Sequence, residues 1–172
     1  AGGTGQCGST RRSLSVNGQG RPHTVAVGVP GVIARGRIVV VAGACERSPL
    51  PGTAVGHAAM LTGAPPSISG IIGNDWYDRG EGRNVTSVED PGTVRLGAEE
   101  ATGSSPHRLM VSTVGDELKM AHPESRVVSM SFKDRAAILM AGRMADLALW
   151  WDGQSGAFVS STWYAPKLPE WA

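Results

Sequence analysis

Residues 53–79 read TAVGHAAMLTGAPPSISGIIGNDWYDR, and the reading of these 27 residues decides what the rest of the chain is. Thr53 precedes AVGHAAML, a run able to form two or more helical turns. Gly63 and the Pro65–Pro66 pair then stop it, as a glycine past the last turn followed by proline does. A threonine at a helix start offers its oxygen to the orphan N–H groups there, and the same end of a helix favours an anion. The ordinary reading of Thr53 is therefore a helix cap; the chemical reading is a hydroxyl placed where a phosphoryl group is electrostatically welcome. Gly70-Ile71-Ile72-Gly73 reads as a short buried strand, and Asn74 to Arg79 crowds polar and amphipathic groups onto its end.

Downstream, residues 80–105 are polar and glycine-rich, a loop with edge strands around Val85–Val88 and Thr93–Leu96. Asn84-Val85-Thr86 is a glycosylation sequon, too frequent a pattern to weigh. Ser105-Pro106 predicts a helix running to about Ala121, closed by Pro123. Arg126 to Phe132, RVVSMSF, predicts a central strand that forms an αβ pair with that helix. Lys133-Asp134-Arg135 stands at the strand's carboxyl end, where open α/β sheets bind ligands. A lone K-D-R is commonly a solvated turn, yet an Arg fork and a Lys point charge also suit phosphoryl oxygens. Residues 136–146 predict a short helix or helix-like turn. Leu147–Trp151 and Ala157–Thr162 predict a β-hairpin around a five-residue loop, with Trp150, Trp151, Trp163 and Tyr164 as packing groups. The fold class is α/β: a fragment of a layered sheet with flanking helices, plus a β-hairpin near the C-terminus.

Upstream, the text changes. Residues 1–52 hold six Arg, one Glu and no Asp or Lys, whereas 53–172 are mixed in the ordinary way. Ile38 to Ala42 is the strand-like run of that segment. Cys7 and Cys45 could form one bridge, but two cysteines without a metal-type spacing decide nothing about compartment. The net charge of +1 argues against a nucleic-acid polymer or a membrane surface as partner. No apolar run reaches the length of a membrane span, and no signal-peptide core is visible at the start.

The stretch from Thr53 to Arg79 resembles the nucleophile region of the alkaline phosphatase superfamily, in the branch of threonine-nucleophile bacterial alkaline phosphatases and nucleotide pyrophosphatase/type I phosphodiesterase-like proteins. The likeness continues through STVGDELKMA, SFKDRAAILMAGRMAD and GAFVSSTWYAPKLPEW. The resemblance implies that Thr53 is the catalytic nucleophile and a metal ligand, and that Asn74, Lys133 and Arg135 contact the transferred phosphoryl group. It implies two zinc ions in the complete enzyme and a periplasmic or secreted location. The K-D-R pair of cations points toward monoesters. The family's first metal-binding Asp has no counterpart, because no Asp precedes Asp75. The later Asp and His metal motifs are missing as well, so the chain is expected not to hold both zinc ions fully. His57 then reads as a packing or hydrogen-bonding residue. The family often carries a His where this chain has Arg143. Residues 1–52 are accordingly read as an atypical segment, translated in a shifted frame or poorly ordered, and 53–172 as the N-terminal part of an alkaline phosphatase-like domain. Three functions compete: the nucleophile and phosphate-binding half of a phosphomonoesterase, inactive by itself; a nucleotide pyrophosphatase or phosphodiesterase of the same superfamily; and a catalytically silent fragment.

Overall fold

The computed structural model describes residues 38–41, 52–98 and 102–171. In chain order the elements are β1 (Ile38–Val41), α1 (Thr53–Thr62), α2 (Pro66–Ser69), β2 (Asp75–Asp78), β3 (Arg83–Thr86), β4 (Glu89–Leu96), β5 (Thr102–Ser104), α3 (Val114–Ala121), β6 (Val127–Ser131), α4 (Asp134–Ala141), β7 (Leu147–Asp152) and β8 (Ala157–Ser161). Among these residues one sheet has six strands in the order β1-β6-β7-β8-β4-β5, and β2 with β3 forms a separate hairpin. β1, β6 and β7 run parallel, with Ile38 opposite Val127 and Val128 opposite Leu147, while β8, β4 and β5 continue the sheet antiparallel. This is the α/β layered sheet with flanking helices and a C-terminal hairpin that the sequence predicts. The possible Cys7–Cys45 bridge and the packing of most of residues 1–52 lie outside the described residues.

The core explains the layering. α4 reads DRAAILMA, and Ala136 to Ala141 are all buried, because the helix packs on β6 and β7 with one side and on α1 with another. A helix that is apolar all round belongs in such an interior position. α1 meets it with Ala54, Ala58 and Leu61, one stripe at helical spacing whose alanines allow a close approach. Truncating Ile138 or Leu139, neither of which exposes any surface, would cost about 2–5 kcal/mol. No helix among the described residues is long and apolar enough to cross a membrane.

Three local expectations are corrected. Residues 70–73 are not a strand: Pro66–Ser69 form a helical turn closed by Gly70 in the left-handed region, and the extended segment begins at Asp75. Ile71 is buried but Ile72 is 58 % exposed, so the pair does not act as one apolar run. The helix predicted from Ser105 starts at Val114 instead. The Ser105 hydroxyl is taken by Asp90 Oδ2 at 2.6 Å, whereas Thr113 and Asp116 form a complete capping box. Thr113 Oγ1 accepts from Asp116 N–H, Asp116 Oδ2 accepts from Thr113 N–H at 2.8 Å, and Asp116 Oδ1 accepts from Met144 N–H at 2.7 Å. Reciprocal satisfaction of two orphan donors outweighs a Ser-Pro start. Finally, Thr53 is the first helical residue and not the cap. Gly52 takes the cap position at φ 120°, a conformation that favours glycine.

Candidate active site

The start of α1 has no side-chain cap from its own sequence neighbourhood. Its orphan donor is satisfied from 20 residues away: Ala54 N–H donates to Asn74 Oδ1 at 2.9 Å. Asn74 is held in turn by the hairpin, since its carbonyl accepts from Ser87 N–H at 2.9 Å. Because Oδ1 must face that donor, the amide orientation is fixed and the two hydrogens on Nδ2 remain for another acceptor. The half-buried Thr53 hydroxyl has no hydrogen-bond partner among the described residues. His57 Nδ1–H donates to the Thr53 carbonyl at 2.6 Å, one turn along the same helix, so His57 is a hydrogen-bonding residue packed into α1.

Lys133 and Arg135 come together in a second place. They line a cleft of about 290 Å³ with Arg95, Phe132, Asp134, Trp150, Trp151 and Asp152. Lys133 caps α4 without a side-chain bond and has no ion-pair partner among the described residues. Asp134 folds back on its neighbour, its Oδ1 accepting from Arg135 N–H at 2.6 Å and lying 3.4 Å from Arg135 Nε. On the far wall, Arg95 Nη1 lies 3.6 Å from Asp152 Oδ1, and Arg95 Nε is buried without a partner. The backbone N–H of Ser155, bonded to Asp152, holds that carboxyl below its ordinary range.

Thr53 and Asn74 do not line this cleft. What relates the two places is topology. β1 and β6 are parallel neighbours, and each is followed in sequence by a helix that opens with the candidate groups, α1 at Thr53 and α4 at Lys133-Asp134. Those two helices pack on each other. Carboxyl ends of neighbouring parallel strands share one edge of a sheet, the edge at which such sheets bind ligands.

A metal cage is a different matter. Among the described residues no three His, Cys, Asp or Glu gather to hold an ion. His57 has one ring nitrogen committed to a carbonyl, and Asp75 is exposed on β2. The donors among the described residues do not fit a two-zinc centre.

Two features escaped the sequence reading. One is the cleft's outer wall, Arg95 with Phe132 and Trp151; Trp151 is 40 % exposed, unlike Trp150 at 3 %, so the tryptophans do not share one packing role. β7 is buried on both faces from Leu147 through Trp150 and opens only at Trp151, so the place near the strand's end, and not an alternating pattern, separates the two. The other is Arg143, which donates to the carbonyls of His107 and Leu109 at 2.9 Å each and so ties the 107–109 loop to the end of α4. A third grouping, Asp90–Ser105–His107, has nucleophile-like members but the wrong wiring. Ser105 is fully buried and gives its proton to Asp90, and burial, followed by the pull of Asp90 in the other direction, leaves His107 with a pKa below 6.5.

A profile of the family described as type I phosphodiesterase / nucleotide pyrophosphatase matches residues 43–162. The chain belongs to this family. Over 121 residues it is 48 % identical to alkaline phosphatase PhoV of Synechococcus elongatus, which covers 69 % of this chain and 22 % of that protein. It is 44 % identical over 122 residues to alkaline phosphatase PafA of Elizabethkingia meningoseptica, with the same shares, and 41 % identical over 121 residues to a protein of Myroides odoratus named calcium-transporting ATPase. Two crystal structures of alkaline phosphatase PafA superpose on it, a variant with four substitutions at TM-score 0.67 and 40 % identity, and the wild type at 0.65 and 42 %. Each covers 69 % of this chain and 24 % of the PafA chain. The family member described here therefore spans between a fifth and a quarter of the length of these relatives, and it shares the PafA fold over that part.

Proposed function

We propose that this chain carries the nucleophile and phosphate-binding half of a phosphomonoesterase that acts through a threonine phospho-enzyme. Thr53 attacks phosphorus, forming the Oγ1–P bond as the ester oxygen leaves, and water later displaces the threonine. Asn74, Lys133 and Arg135 stabilise the negative charge spread over the equatorial oxygens, a role for preorganised donors. The observation that carries the reading is the Ala54–Asn74 bond, which couples Asn74 to the helix start at Thr53 and leaves its Nδ2 donors without a partner among the described residues. Further support comes from the four-substitution PafA variant, in which a Thr, an Asn, a Lys and an Arg are replaced. Its Thr-to-Asn separation of 21 residues and Lys-to-Arg separation of 2 equal those from Thr53 to Asn74 and from Lys133 to Arg135.

Zinc is the metal the family resemblance implies, and Thr53 is the ligand it names, but the donors among the described residues do not form its cage. A threonine hydroxyl still needs activation, so the chain by itself is an anion-binding half-site. Turnover belongs to a polypeptide of the relatives' full length. In that context Thr53→Ser should keep substantial activity and Thr53→Ala should abolish the covalent intermediate. Acid quenching during turnover followed by mapping of the labelled peptide tests this; phosphate on Thr62 or Ser67, or full activity of Thr53→Ala, removes Thr53 from the mechanism. On the chain itself Asn74→Asp is the sharper probe. It retains an acceptor for Ala54 N–H but replaces the donors with negative charge, so the fold should persist while binding of inorganic phosphate is lost.

The second reading is the phosphodiesterase or nucleotide pyrophosphatase activity in the family's description. Lys133 beside Arg135 favours a monoester dianion over a diester. In the full-length context, removal of either cation should slow monoester hydrolysis by about 100-fold and diester hydrolysis less; equal losses would favour the diesterase.

A further inference from the structure

Asn74 sits at the open end of a hairpin that has few fastenings. Asp75 pairs with Thr86 where β2 and β3 begin and end, and the Ser87 N–H bond to the Asn74 carbonyl adds one more rung. Neither strand joins the six-stranded sheet among the described residues. A lone two-stranded hairpin is marginal in water, so the place of Asn74 depends on what ties this one to the body. Val85, fully buried, is an apolar anchor on β3. On the β2 side the tie is Arg108.

Arg108 stands between β5 and α3 in a stretch whose backbone is held on both sides. Arg143 grips the carbonyls of His107 and Leu109, Leu109 is fully buried, and Met110 N–H donates to the Ser69 carbonyl at 2.9 Å. From that mount the guanidinium reaches along the hairpin. Its Cζ lies 5.9 Å from the centre of the Trp76 ring, two residues from Asn74. At the turn, Nη1 is 3.5 Å from Asp78 Oδ2 and Nη2 donates to Glu81 Oε1 at 2.6 Å, and Glu89 Oε1 lies 3.9 Å away at the start of β4. The Arg108 side chain is only 10 % exposed, so these contacts are weakly screened. Arg83 also pairs with Glu81 and Glu89, but it belongs to the hairpin itself and is 44 % exposed, an ordinary surface cation of little worth.

We propose that Arg108 is a positioning residue of the phosphate site. Its guanidinium is taken up by carboxylates and an indole face, so it contacts no phosphoryl oxygen; it holds β2 and thereby keeps the Asn74 amide aimed at one. The inference rests on the reading of Asn74 as a phosphate ligand and adds the residue that keeps it in place. Transmission is short: Trp76 and Asp78 lie on β2, and β2 runs directly into the Asn74–Ser87 rung.

The test titrates the 172-residue chain with inorganic phosphate and follows the side-chain amide signal of Asn74 by NMR. Arg108→Ala should weaken phosphate about fivefold, the scale on which residues off a ligand modulate its site. It should also move the Asn74 amide signal and leave the backbone signals of β6, α4 and β7 in place. The fold should persist, because Asp78 and Glu81 are 29 % and 37 % exposed and can be hydrated once the cation is gone. The fivefold loss should recur in a Lys133→Ala background and vanish in an Asn74→Ala background, as non-additivity requires of groups acting through one another. Glu81→Ala, a change at an exposed turn residue, removes the shortest bond to Arg108 and should move the Asn74 signal the same way by less. It decides the matter if Arg108→Ala fails to fold: an Asn74 signal unmoved by Glu81→Ala then overturns the proposal. Phosphate affinity unchanged by Arg108→Ala overturns the positioning role and leaves Asn74 as a ligand. An equal loss in the Asn74→Ala background shows a general destabilisation and overturns it as well. Phosphate affinity indifferent to Asn74→Ala overturns both readings together.

Discussion

At the amino end of β6 a single carboxylate collects every neighbour. Asp146 lies 2.9 Å from Lys119 Nζ and 2.7 Å from Arg126 Nη1, and it accepts from Val127 N–H at 2.8 Å, while its own N–H donates to the Val127 carbonyl at 2.8 Å. At the carboxyl end Lys133 has no such partner among the described residues, Arg135 shares one carboxylate with its own backbone, and Phe132 stands exposed. One end of the strand is electrostatically closed and spends its groups on holding β6 to β7. The other leaves Lys133 without a carboxylate partner among the described residues and Phe132 exposed, which leaves something for a ligand to meet. The lesson is that a site can be told from a structural charge cluster by what is left unpaired.

The contrast breaks most visibly at Asp146. Asp146→Ala strands a backbone donor and removes two charge-assisted bonds, so chemical denaturation should show a loss of about 2–3 kcal/mol, with phosphate binding unaltered by more than the unfolded fraction. Lys133→Ala should behave in the opposite way. Phosphate affinity should fall about tenfold, or ~1.4 kcal/mol, while stability stays within about 0.5 kcal/mol because the side chain is exposed and unpaired. If each variant changed both quantities, the two ends would not be different in kind.

Acid sharpens the same comparison. Burial pushes the Asp146 carboxyl up, but the bonds from Lys119, Val127 N–H and Arg126 outweigh burial and hold its pKa below the ordinary 3.8. A depressed folded-state pKa means that its contribution to stability is complete above about 3.8 and is lost as pH falls through the folded value. Urea melts at neutral pH and in this acidic range should differ more for the unsubstituted chain than for Asp146→Asn. An equal pH dependence would show that the cluster is not the acid-sensitive link.

The smallest effect is expected at the helix start of α1. Since Gly52 is the cap and the Thr53 hydroxyl bonds to no described group, Thr53→Ala should cost only a few tenths of a kcal/mol, against about 1 kcal/mol for loss of a true threonine cap. Thr113→Ala supplies that comparison, because Thr113 completes a capping box. A loss at Thr53 equal to that at Thr113 would return Thr53 to a structural role.

How much of this was legible in the text depends on how local each cause is. α1 with its Gly63 stop, β6, and the β7–β8 hairpin follow from patterns within a dozen residues, and each is found close to its predicted bounds. The false strand at 70–73 and the false helix at Ser105 have non-local causes: Ser69 O accepts from Met110 N–H, and Ser105 Oγ is claimed by Asp90. The candidate residues were readable as types, because hydroxyl, amide and cations near helix starts suit an anion. Their wiring was not. That Asn74 serves Ala54 across 20 residues, and that Arg95 and Trp151 line one cleft with Lys133, depends on pairings no window contains. The two-zinc expectation came from resemblance alone, and the described residues offer no donor cluster for it.

The parallel pairing of β1 with β6 also carries a kinetic consequence. Ile38 pairs with Val127 across 89 residues, whereas β6, α4, β7 and β8 follow one another within 35. Closing the longer loop costs entropy before any contact rewards it. The compact C-terminal unit with Lys133 and Arg135 should therefore gain amide protection first in pulse-labelled refolding, and β1 should dock afterwards. The Lys133–Arg135 end of β6 would then stand formed before the strand that precedes Thr53 docks beside it, so that the two candidate places come together late in folding.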